Sequence, residues 1–253
     1  MGLTVLSLFD GMSCGQIALE RAGIKVDKYY ASEIDKYAIQ VTQSNYPNTI
    51  QLGDVRDIQS FTVKGIDLLI AGSPCQGFSP QGKQLNFEDP RSALFFEYVR
   101  VKKELNPRYF LLENVKMKKE YENIISEHLG VTPIDINSNL VSAQNRRRVY
   151  WTNIPDVTQP EDRKVFLKSI IDRTDVTEAT PAFHQWFKTK EKYLLRKKHI
   201  NIMNDNDKAI CATANQVYNW NGNVFRIAKG RYRFLNVSEA EQLQTVPGGT
   251  LWG

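Results

Sequence analysis

Short apolar runs alternate with amphipathic segments over the first 154 positions of the chain. The apolar runs predict strands at residues 5–9, 29–33, 50–53, 66–71, 109–112, 134–140 and 148–152. The amphipathic segments predict helices at residues 13–22, 35–44, 91–105 and 119–129. Because strands and helices alternate, the predicted fold class is α/β, with a doubly wound and mostly parallel sheet.

The pattern changes after residue 154, where the periodicity weakens and turn residues multiply. We therefore predict a large domain at residues 1–154, a smaller one at 155–232, and a segment at 233–253 that returns to the first. That segment contains a predicted helix that begins at Asn236 and ends before Pro247. Ser238 and Glu241 have the spacing of a capping box at its start.

The net charge of +5 is unevenly distributed. Residues 1–150 contain 18 basic and 17 acidic residues, whereas residues 151–253 contain 15 and 11. The excess lies at residues 188–192, 196–199 and 229–233, among the aromatic residues Trp186, Phe187, Tyr193 and Tyr232. Basic residues interleaved with aromatic rings suit a nucleic-acid surface. The alternative is a solvated helix face, which is the commoner explanation of a charge run.

Other features favour an ordinary globular protein that is not secreted. The first residues lack the basic and apolar segments of a signal peptide, and no apolar run could cross a bilayer. Cys14, Cys75 and Cys211 are odd in number and far apart, which argues for a reducing compartment and against disulfides or a zinc site. We expect the cytoplasm of a prokaryotic or phage-infected cell, or a nucleus.

The first candidate for chemistry is the cysteine of Pro74-Cys75-Gln76, which follows the apolar run at residues 66–72. In open α/β sheets, ligands bind at the carboxyl ends of the strands. Cys75 therefore stands where a nucleophile would be useful. The alternative is a small cysteine packed at a strand end, since free cysteine is often buried.

A second set of candidates lies at the ends of the first three strands. The turn from Phe9 to Gly15 is glycine-rich, as turns that approach a ligand at a helix N-terminus are. Glu33 ends the second strand, where an acid accepts from ribose hydroxyls. Asp54 ends the third strand, where a carboxylate can accept from an adenine amino group. Together they predict a cofactor that contains adenosine. The alternative is that they are strand-end caps and turn residues.

A third set comprises an acid and a group of arginines. Glu113 follows an apolar strand, so its carboxyl should be partly desolvated and suited to act as an acid. Arg146 and Arg148 alternate with Arg147 and should share one face, where they could bind a phosphate or a base carbonyl. The alternatives are a solvent-facing strand end and a basic loop.

These segments, in this order, resemble the motifs of the C5-cytosine DNA methyltransferases. The resemblance covers residues 3–154 and 233–247. Its most specific elements are Pro74-Cys75-Gln76, Glu113-Asn114-Val115 and Gln144-x-Arg146-x-Arg148. Ser73 and residues 141–143 resemble the branch that holds the animal de novo enzymes and some phage and bacterial relatives.

The resemblance implies a Rossmann-like methyltransferase sheet with a smaller target-recognition domain. It also implies methyl transfer from S-adenosyl-L-methionine to C5 of a flipped-out cytosine in duplex DNA, as in restriction–modification systems. Cys75 would attack C6 of the base, Glu113 would protonate N3, and Arg148 would bind O2. Arg146 would help to hold the base and the loop that carries Cys75. A base within a duplex is inaccessible, so it must be flipped out.

The resemblance further implies two sets of binding residues. The residues implied for the cofactor are Phe9, Asp10, Gly11, Ser13, Gly15, Glu33, Ile34, Asp54, Val55, Pro74 and Leu94. The residues implied for DNA are Gln76, Ser79, Lys83, Arg196, Lys197 and Lys198. No metal is implied, and the recognition sequence cannot be deduced.

One departure from the family concerns the end of the chain. Family members usually finish with a Gly-Asn-containing helix that lines the methionine end of the pocket, whereas this sequence stops at Gly253. The alternative hypothesis is therefore a truncated, catalytically impaired DNA-binding or regulatory subunit that needs a second polypeptide. Two further alternatives are a transfer RNA methyltransferase and a nicotinamide dehydrogenase, although the latter leaves Cys75, Glu113 and Arg148 unexplained.

Overall fold

The computed structural model describes residues 2–59, 61–74, 93–196, 200–212 and 222–250. Within them the chain forms two compact units. The first unit comprises residues 2–136 and 147–158, and the second comprises residues 137–146 and 159–250. The predicted boundaries after residues 154 and 232, and the predicted return of residues 233–253, stay predictions.

The first unit is an α/β structure, as the alternating pattern predicted. Its strands are β1 (Leu3–Leu8), β2 (Val26–Ser32), β3 (Ile50–Gln51), β4 (Leu68–Gly72), β5 (Tyr109–Val115) and β6 (Ile134–Asn137). After the short strand β7 (Gln144–Asn145) of the second unit, β8 (Arg147–Thr152) completes the sheet. The helices are α1 (Cys14–Arg21), α2 (Lys36–Asn45), α3 (Ala93–Leu105) and α4 (Lys119–Leu129).

The strand order of this sheet is β3-β2-β1-β4-β5-β8-β6. Strands β1 to β5 pair in parallel, and β8 runs antiparallel to β5. From β1 the chain first builds outwards through β2 and β3, then returns to place β4 on the other side of β1. The strand order therefore reverses between β1 and β4, which is where such sheets have a crevice for a ligand.

Helices cover both faces of the sheet. On β1, Leu6 packs into the core built with α3 and α4, whereas its neighbour Val5 packs with Leu19 of α1. Strand β4 repeats this division, since Leu69 joins the first core and Leu68 the second. Successive side chains of a strand point to opposite faces, so apolar residues at every position indicate burial on both sides. This is the predicted doubly wound arrangement.

The second unit has a smaller mixed structure. Its elements are α5 (Pro181–Arg196), β9 (Ile200–Met203), β10 (Ala209–Ile210), β11 (Gly222–Ala228), β12 (Arg231–Phe234) and α6 (Val237–Leu243). Strands β9, β11 and β12 form one sheet, and β7 pairs with β10. Phe183 and Phe187, four residues apart on α5, pack with Tyr232 in the core of this unit.

Two local predictions were wrong. The strand predicted at residues 134–140 ends at Asn137, and Ser138–Leu140 form a 3-10 turn because the Asn137 side chain accepts from the Asn139 N–H. The capping box of α6 is formed by Asn236 and Glu239 rather than by Ser238 and Glu241. Asn236 Oδ1 accepts from the Glu239 N–H at 2.8 Å, and the Glu239 carboxylate accepts from the Asn236 N–H at 3.0 Å.

Membrane-spanning helices and metal-binding clusters are both absent from the described ranges. None of the helices there is long and apolar enough to cross a membrane. In the same part of the chain, no three His, Cys, Asp or Glu side chains are grouped so that they could hold a metal ion.

Candidate functional site

A cleft of about 410 Å³ lies in the first unit, at the carboxyl ends of its central strands. Its volume is within the range usual for small-molecule sites. The lining residues are Phe9, Ser32, Glu33, Ile34, Gly53, Asp54, Val55, Arg56, Pro74 and Leu94. Seven of the eleven predicted cofactor residues are among them. Of the other four, Asp10, Gly11 and Ser13 belong to the turn that follows β1, and Gly15 lies in the first turn of α1.

The turn between β1 and α1 has an unusual backbone. Phe9 and Ser13 have positive φ angles of 56° and 61°, and Gly11 has one of 59°. Left-handed backbone at residues other than glycine costs roughly 1–3 kcal/mol each, and it concentrates at functional sites. The turn that the sequence singled out is therefore held in a geometry that an ordinary loop would avoid.

Asp10 organises the interior of this turn. Its carboxyl accepts hydrogen bonds from the hydroxyls of Ser13 and Tyr29, the latter at 2.8 Å. Burial raises the pKa of Asp10, and it also raises the pKa of Tyr29. Asp10 thus ties the turn to β2, and its predicted contact with the cofactor stays a prediction.

Gly15 allows α1 to approach the sheet closely. A Cβ at this position would lie 2.3 Å from Ile70 Cδ1 and 2.6 Å from the Tyr29 hydroxyl. Gly15 therefore has a packing role, because a larger residue would clash with Ile70 of β4 and Tyr29 of β2. The predicted approach of the Gly15 backbone to a ligand stays a prediction.

Glu33 is held at the end of β2 by backbone donors. Its Oε2 accepts from the Gly11 N–H at 2.8 Å, and its Oε1 accepts from the N–H groups of Ile34 and Asp35 at 2.8 and 2.9 Å. A carboxylate offers about four acceptor positions, so one is left for a ligand in the cleft. This geometry suits the predicted contact with a ribose hydroxyl.

Asp54 is bound by a residue that the sequence did not single out. Its Oδ1 accepts from both the N–H and the Nε of Arg56 at 2.9 Å, and its Oδ2 accepts from Arg56 Nη2. The hydrogen bonds from the Arg56 side chain lower the pKa of Asp54 to about 2. Asp54 is therefore an ionised acceptor at the edge of the cleft.

Sequence reasoning missed Ser32, Gly53 and Arg56 as lining residues. Each directly adjoins a residue that was predicted, because Ser32 precedes Glu33 and Gly53 precedes Asp54. The Ser32 hydroxyl donates to the Gly53 carbonyl at 2.8 Å and so joins the ends of β2 and β3. Only the pairing of these strands brings the two segments together.

The start of the predicted nucleophile loop is fixed by Asn114. Its side-chain amide donates to Ser73 Oγ at 2.9 Å, and its Oδ1 accepts from the Val115 N–H at 2.8 Å. Ser73 and Asn114 are both buried, so this bond anchors the chain immediately before Pro74. Cys75, Gln76, Ser79 and Lys83 lie outside the described residues, and their predicted roles stay predictions.

Glu113 and Arg148 meet at the carboxyl end of β5. Arg148 Nε lies 2.7 Å from Glu113 Oε1, and the two side chains are 14% and 29% exposed. In the antiparallel register Arg148 lies opposite Val115 and Tyr150 lies opposite Glu113, so the acid and the arginine are diagonal neighbours on one face. The carboxyl is partly buried, as predicted, and it is also ion-paired, which the sequence did not indicate.

The three consecutive arginines have different surroundings. Arg147 Nε donates to the Asp135 carboxylate at 2.7 Å within the first unit. Arg146 belongs to the second unit, where its backbone N–H donates to Asn137 Oδ1 at 3.0 Å and its Nη1 lies 3.5 Å from Cys211 Sγ. The prediction that Arg146 and Arg148 share a face therefore concerns residues of two different units, and it stays a prediction.

The basic stretches of the second unit are only partly available to a ligand. Arg233 is buried against Glu239, with Nη2 2.6 Å from Oε1, and Arg231 pairs with Glu178 at 2.7 Å. Phe187 and Tyr232 are buried in the core, so they offer no stacking surface. Lys188 and Lys190 on α5 are exposed. The structure describes nothing of the Arg196 side chain or of Lys197 and Lys198.

The family model and the curated relatives that match this chain are all methylases or methyltransferases. The family model for C-5 cytosine-specific DNA methylases matches residues 3–209. An orphan methyltransferase of Bacillus phage rho11s, M.Rho11sI, is 38% identical over 187 residues, which cover 69% of this chain and 37% of the relative. The type II methyltransferase M.NgoBV of Neisseria gonorrhoeae is 31% identical, over 70% of this chain and 48% of the relative.

Solved structures share the fold. S. pombe Dnmt2 methyltransferase has a TM-score of 0.72 and 17% identity, over 98% of this chain and 88% of that one. A mutant of Spodoptera frugiperda DNMT2 has a TM-score of 0.70 and 19% identity, over 97% and 89%. The chain spans 37–54% of the length of the curated relatives it matches.

Proposed function

The chain belongs to the C-5 cytosine-specific DNA methylase family, and from this premise we propose that it methylates C5 of cytosine in duplex DNA. The observation that carries the proposal is the ion pair of Glu113 and Arg148 on neighbouring strands of the sheet whose carboxyl edge holds the cleft. An acid and a guanidinium side by side match the N3 and O2 edge of a cytosine.

The cleft suits S-adenosyl-L-methionine. Phe9, Ile34, Val55 and Leu94 give it apolar walls, and Glu33 supplies a carboxylate where ribose hydroxyls would bind. When bound, this cofactor supplies an electrophilic methyl group. The task of the chain is to hold it and to activate the cytosine.

Cys75 is the proposed nucleophile. Its thiolate adds to C6 of the cytosine, and Glu113 gives a proton to N3, so the electron pair reaches C5 as an enamine. Arg148 binds O2 and, through Glu113 Oε1, orients the acid. After C5 has gained the methyl group, a base removes the C5 proton, and the electron pair of that bond re-forms the C5–C6 double bond and expels the Cys75 thiolate. N3 then returns its proton to Glu113, which restores both the ring and the acid.

Access to the base requires that the cytosine leave the duplex. We propose that residues 77–89 close over the DNA and that residues 155–223 read bases in the major groove. Candidate DNA contacts are Gln76, Ser79 and Lys83 in the first segment, and Arg196, Lys197 and Lys198 in the second.

The test is transfer of labelled methyl from S-adenosyl-L-methionine to duplex DNA by the full chain. We expect transfer by the wild type and none by Cys75→Ser. Bisulfite sequencing of the product would give the recognition sequence.

The same assay separates the alternatives. Transfer RNA that outcompetes duplex DNA as the acceptor would contradict the DNA substrate. Tight DNA binding without transfer, restored by a second polypeptide, would favour the hypothesis of a DNA-binding or regulatory subunit.

A further inference from the structure

The ion pair between Asp54 and Arg56 stands at the edge of the cleft without an evident structural purpose. The Arg56 side chain is 68% exposed and that of Asp54 is 24% exposed. Exposed ion pairs contribute little to stability, typically below about 1 kcal/mol. Both residues line the cleft, so the effect of the pair should be sought in what the cleft binds.

Arg56 occupies most of the acceptor capacity of the Asp54 carboxylate. Oδ1 receives two donors, the Arg56 N–H and Nε, each at 2.9 Å, and Oδ2 receives Nη2. Of the roughly four acceptor positions of a carboxylate, one remains, on Oδ2. Because the guanidinium is a rigid planar fork, it also fixes the rotation of the carboxylate.

The backbone on which Asp54 stands is equally constrained. Asp54 caps the 3-10 turn Val55–Asp57, and the residue before it, Gly53, is joined to the end of β2 by the hydrogen bond from Ser32. The direction of the remaining acceptor is thus set by both backbone and side chain. The low pKa of about 2 keeps the carboxyl ionised, so it accepts and never donates.

We propose that Arg56 is a positioning residue that holds Asp54 so that its one remaining acceptor selects a purine with an exocyclic amino group. This inference rests on the proposed function, because it takes the ligand to be an adenosine derivative. An amino group donates to the acceptor, whereas the carbonyl of an oxopurine faces it with a second lone pair. Arg56 therefore determines the preference for adenine over hypoxanthine without contacting the base.

The experiment is isothermal titration of the full chain with S-adenosyl-L-homocysteine and with its deaminated counterpart, S-inosyl-L-homocysteine. We expect the wild type to prefer the amino compound by ~10-fold or more, the scale of a hydrogen bond to a charged group. Arg56→Met should lower the preference to about 2-fold. Arg56→Lys, which keeps the charge and loses the fork, should also lower it.

Two further variants show whether Arg56 acts through Asp54. Asp54→Asn should prefer the amino compound only weakly. Adding Arg56→Met to Asp54→Asn should change the affinity for either compound by less than about 2-fold, because coupled residues are non-additive. Lys64→Met, which removes an exposed charge of the same unit, should keep the wild-type preference. Circular dichroism of each variant checks that it is folded.

Two results would overturn the inference, and they differ. If the wild type binds the amino compound but Arg56→Met keeps the full preference, the role of Arg56 is wrong and the proposed function stands. If the wild type binds neither compound, the proposed function fails and the role of Arg56 fails with it.

Discussion

At the scale of single residues, the site depends on backbone and side-chain groups that hold its three acidic side chains in place. Glu33 is fixed by three backbone N–H groups, Asp54 by Arg56, and Glu113 by Arg148. Each of the three acids was predicted from its place at the end of a strand, but the hydrogen bonds and ion pairs that hold it were not. Sequence position identifies where an acid stands, whereas its contacts depend on the conformation of the backbone around it and on the pairing of the strands.

Gly15 gives a test of packing at this scale. Gly15→Ala should lower the free energy of unfolding by about 1–3 kcal/mol, because the new Cβ would displace Tyr29, a buried ring that donates to Asp10. Urea denaturation followed by circular dichroism measures this change.

The control for that substitution is Gly72→Ala, in strand β4 of the same unit. There the nearest atom to a new Cβ is Glu113 Oε2 at 3.5 Å, an ordinary contact. Equal stabilities of Gly15→Ala and the wild type would contradict the packing role.

At the scale of elements, α6 shows how tertiary structure chooses among caps that the sequence permits. Two spacings fit a capping box, and the one that forms contains Glu239, which is buried and also binds Arg233. Asp172 joins this cluster, since its N–H donates to Glu239 at 2.8 Å and its carbonyl accepts from Arg233 at 3.0 Å. The ion pair lies in the second unit, so it supports the core there.

Removal of one partner of this buried pair should be strongly destabilising. Glu239→Gln should lower the free energy of unfolding by about 3–5 kcal/mol, because the Arg233 charge stays buried without its main counterion. Thermal and urea unfolding of the full chain measure the effect.

The control here is Ser238→Ala, which removes the exposed cap that the sequence predicted. Its effect should stay within about 0.5 kcal/mol. A larger loss for Ser238→Ala than for Glu239→Gln would show that the cap has been misassigned.

At the scale of the whole molecule, the net charge of +5 is consistent with a nucleic-acid substrate. The structure reduces the set of basic residues that could contribute, because Arg231 and Arg233 are already paired with acids. Lys188 and Lys190 on α5 are exposed and remain candidates.

Salt dependence tests these two lysines. The variant with Lys188→Ala and Lys190→Ala should bind duplex DNA more weakly, and the slope of log K against log salt should be shallower by about 1–2. Fluorescence anisotropy between roughly 50 and 200 mM salt measures the slope.

A charge-matched control uses Lys25→Ala and Lys28→Ala, at the amino end of β2 and so at the edge of the sheet away from the cleft. This variant should keep the wild-type slope. Equal slopes for both variants and the wild type would exclude α5 from the DNA surface.

The sequence by itself determined the fold class, the order of most elements and the places of Glu33, Asp54 and Glu113 at the ends of strands. It could do so because burial on both faces leaves apolar residues at successive strand positions, and because parallel strands all present their carboxyl ends at one edge. Most boundaries of the first unit were therefore predicted to within a few residues, and helix α4 was predicted with its bounds unchanged.

Only the tertiary structure decided which partners these residues have. Glu113 and Arg148 form an ion pair because their strands are adjacent in the sheet. Arg233 and Glu239 form theirs between a strand and a helix. Gly15 of α1 likewise comes close to Tyr29 and Ile70 only when the helix packs on the sheet. Asp54 and Arg56 are close in sequence. They line a cleft only because the ends of β2 and β3 come together in the folded chain. Periodicity reports which face a residue occupies, whereas contacts depend on distances that arise when strands pair and helices pack.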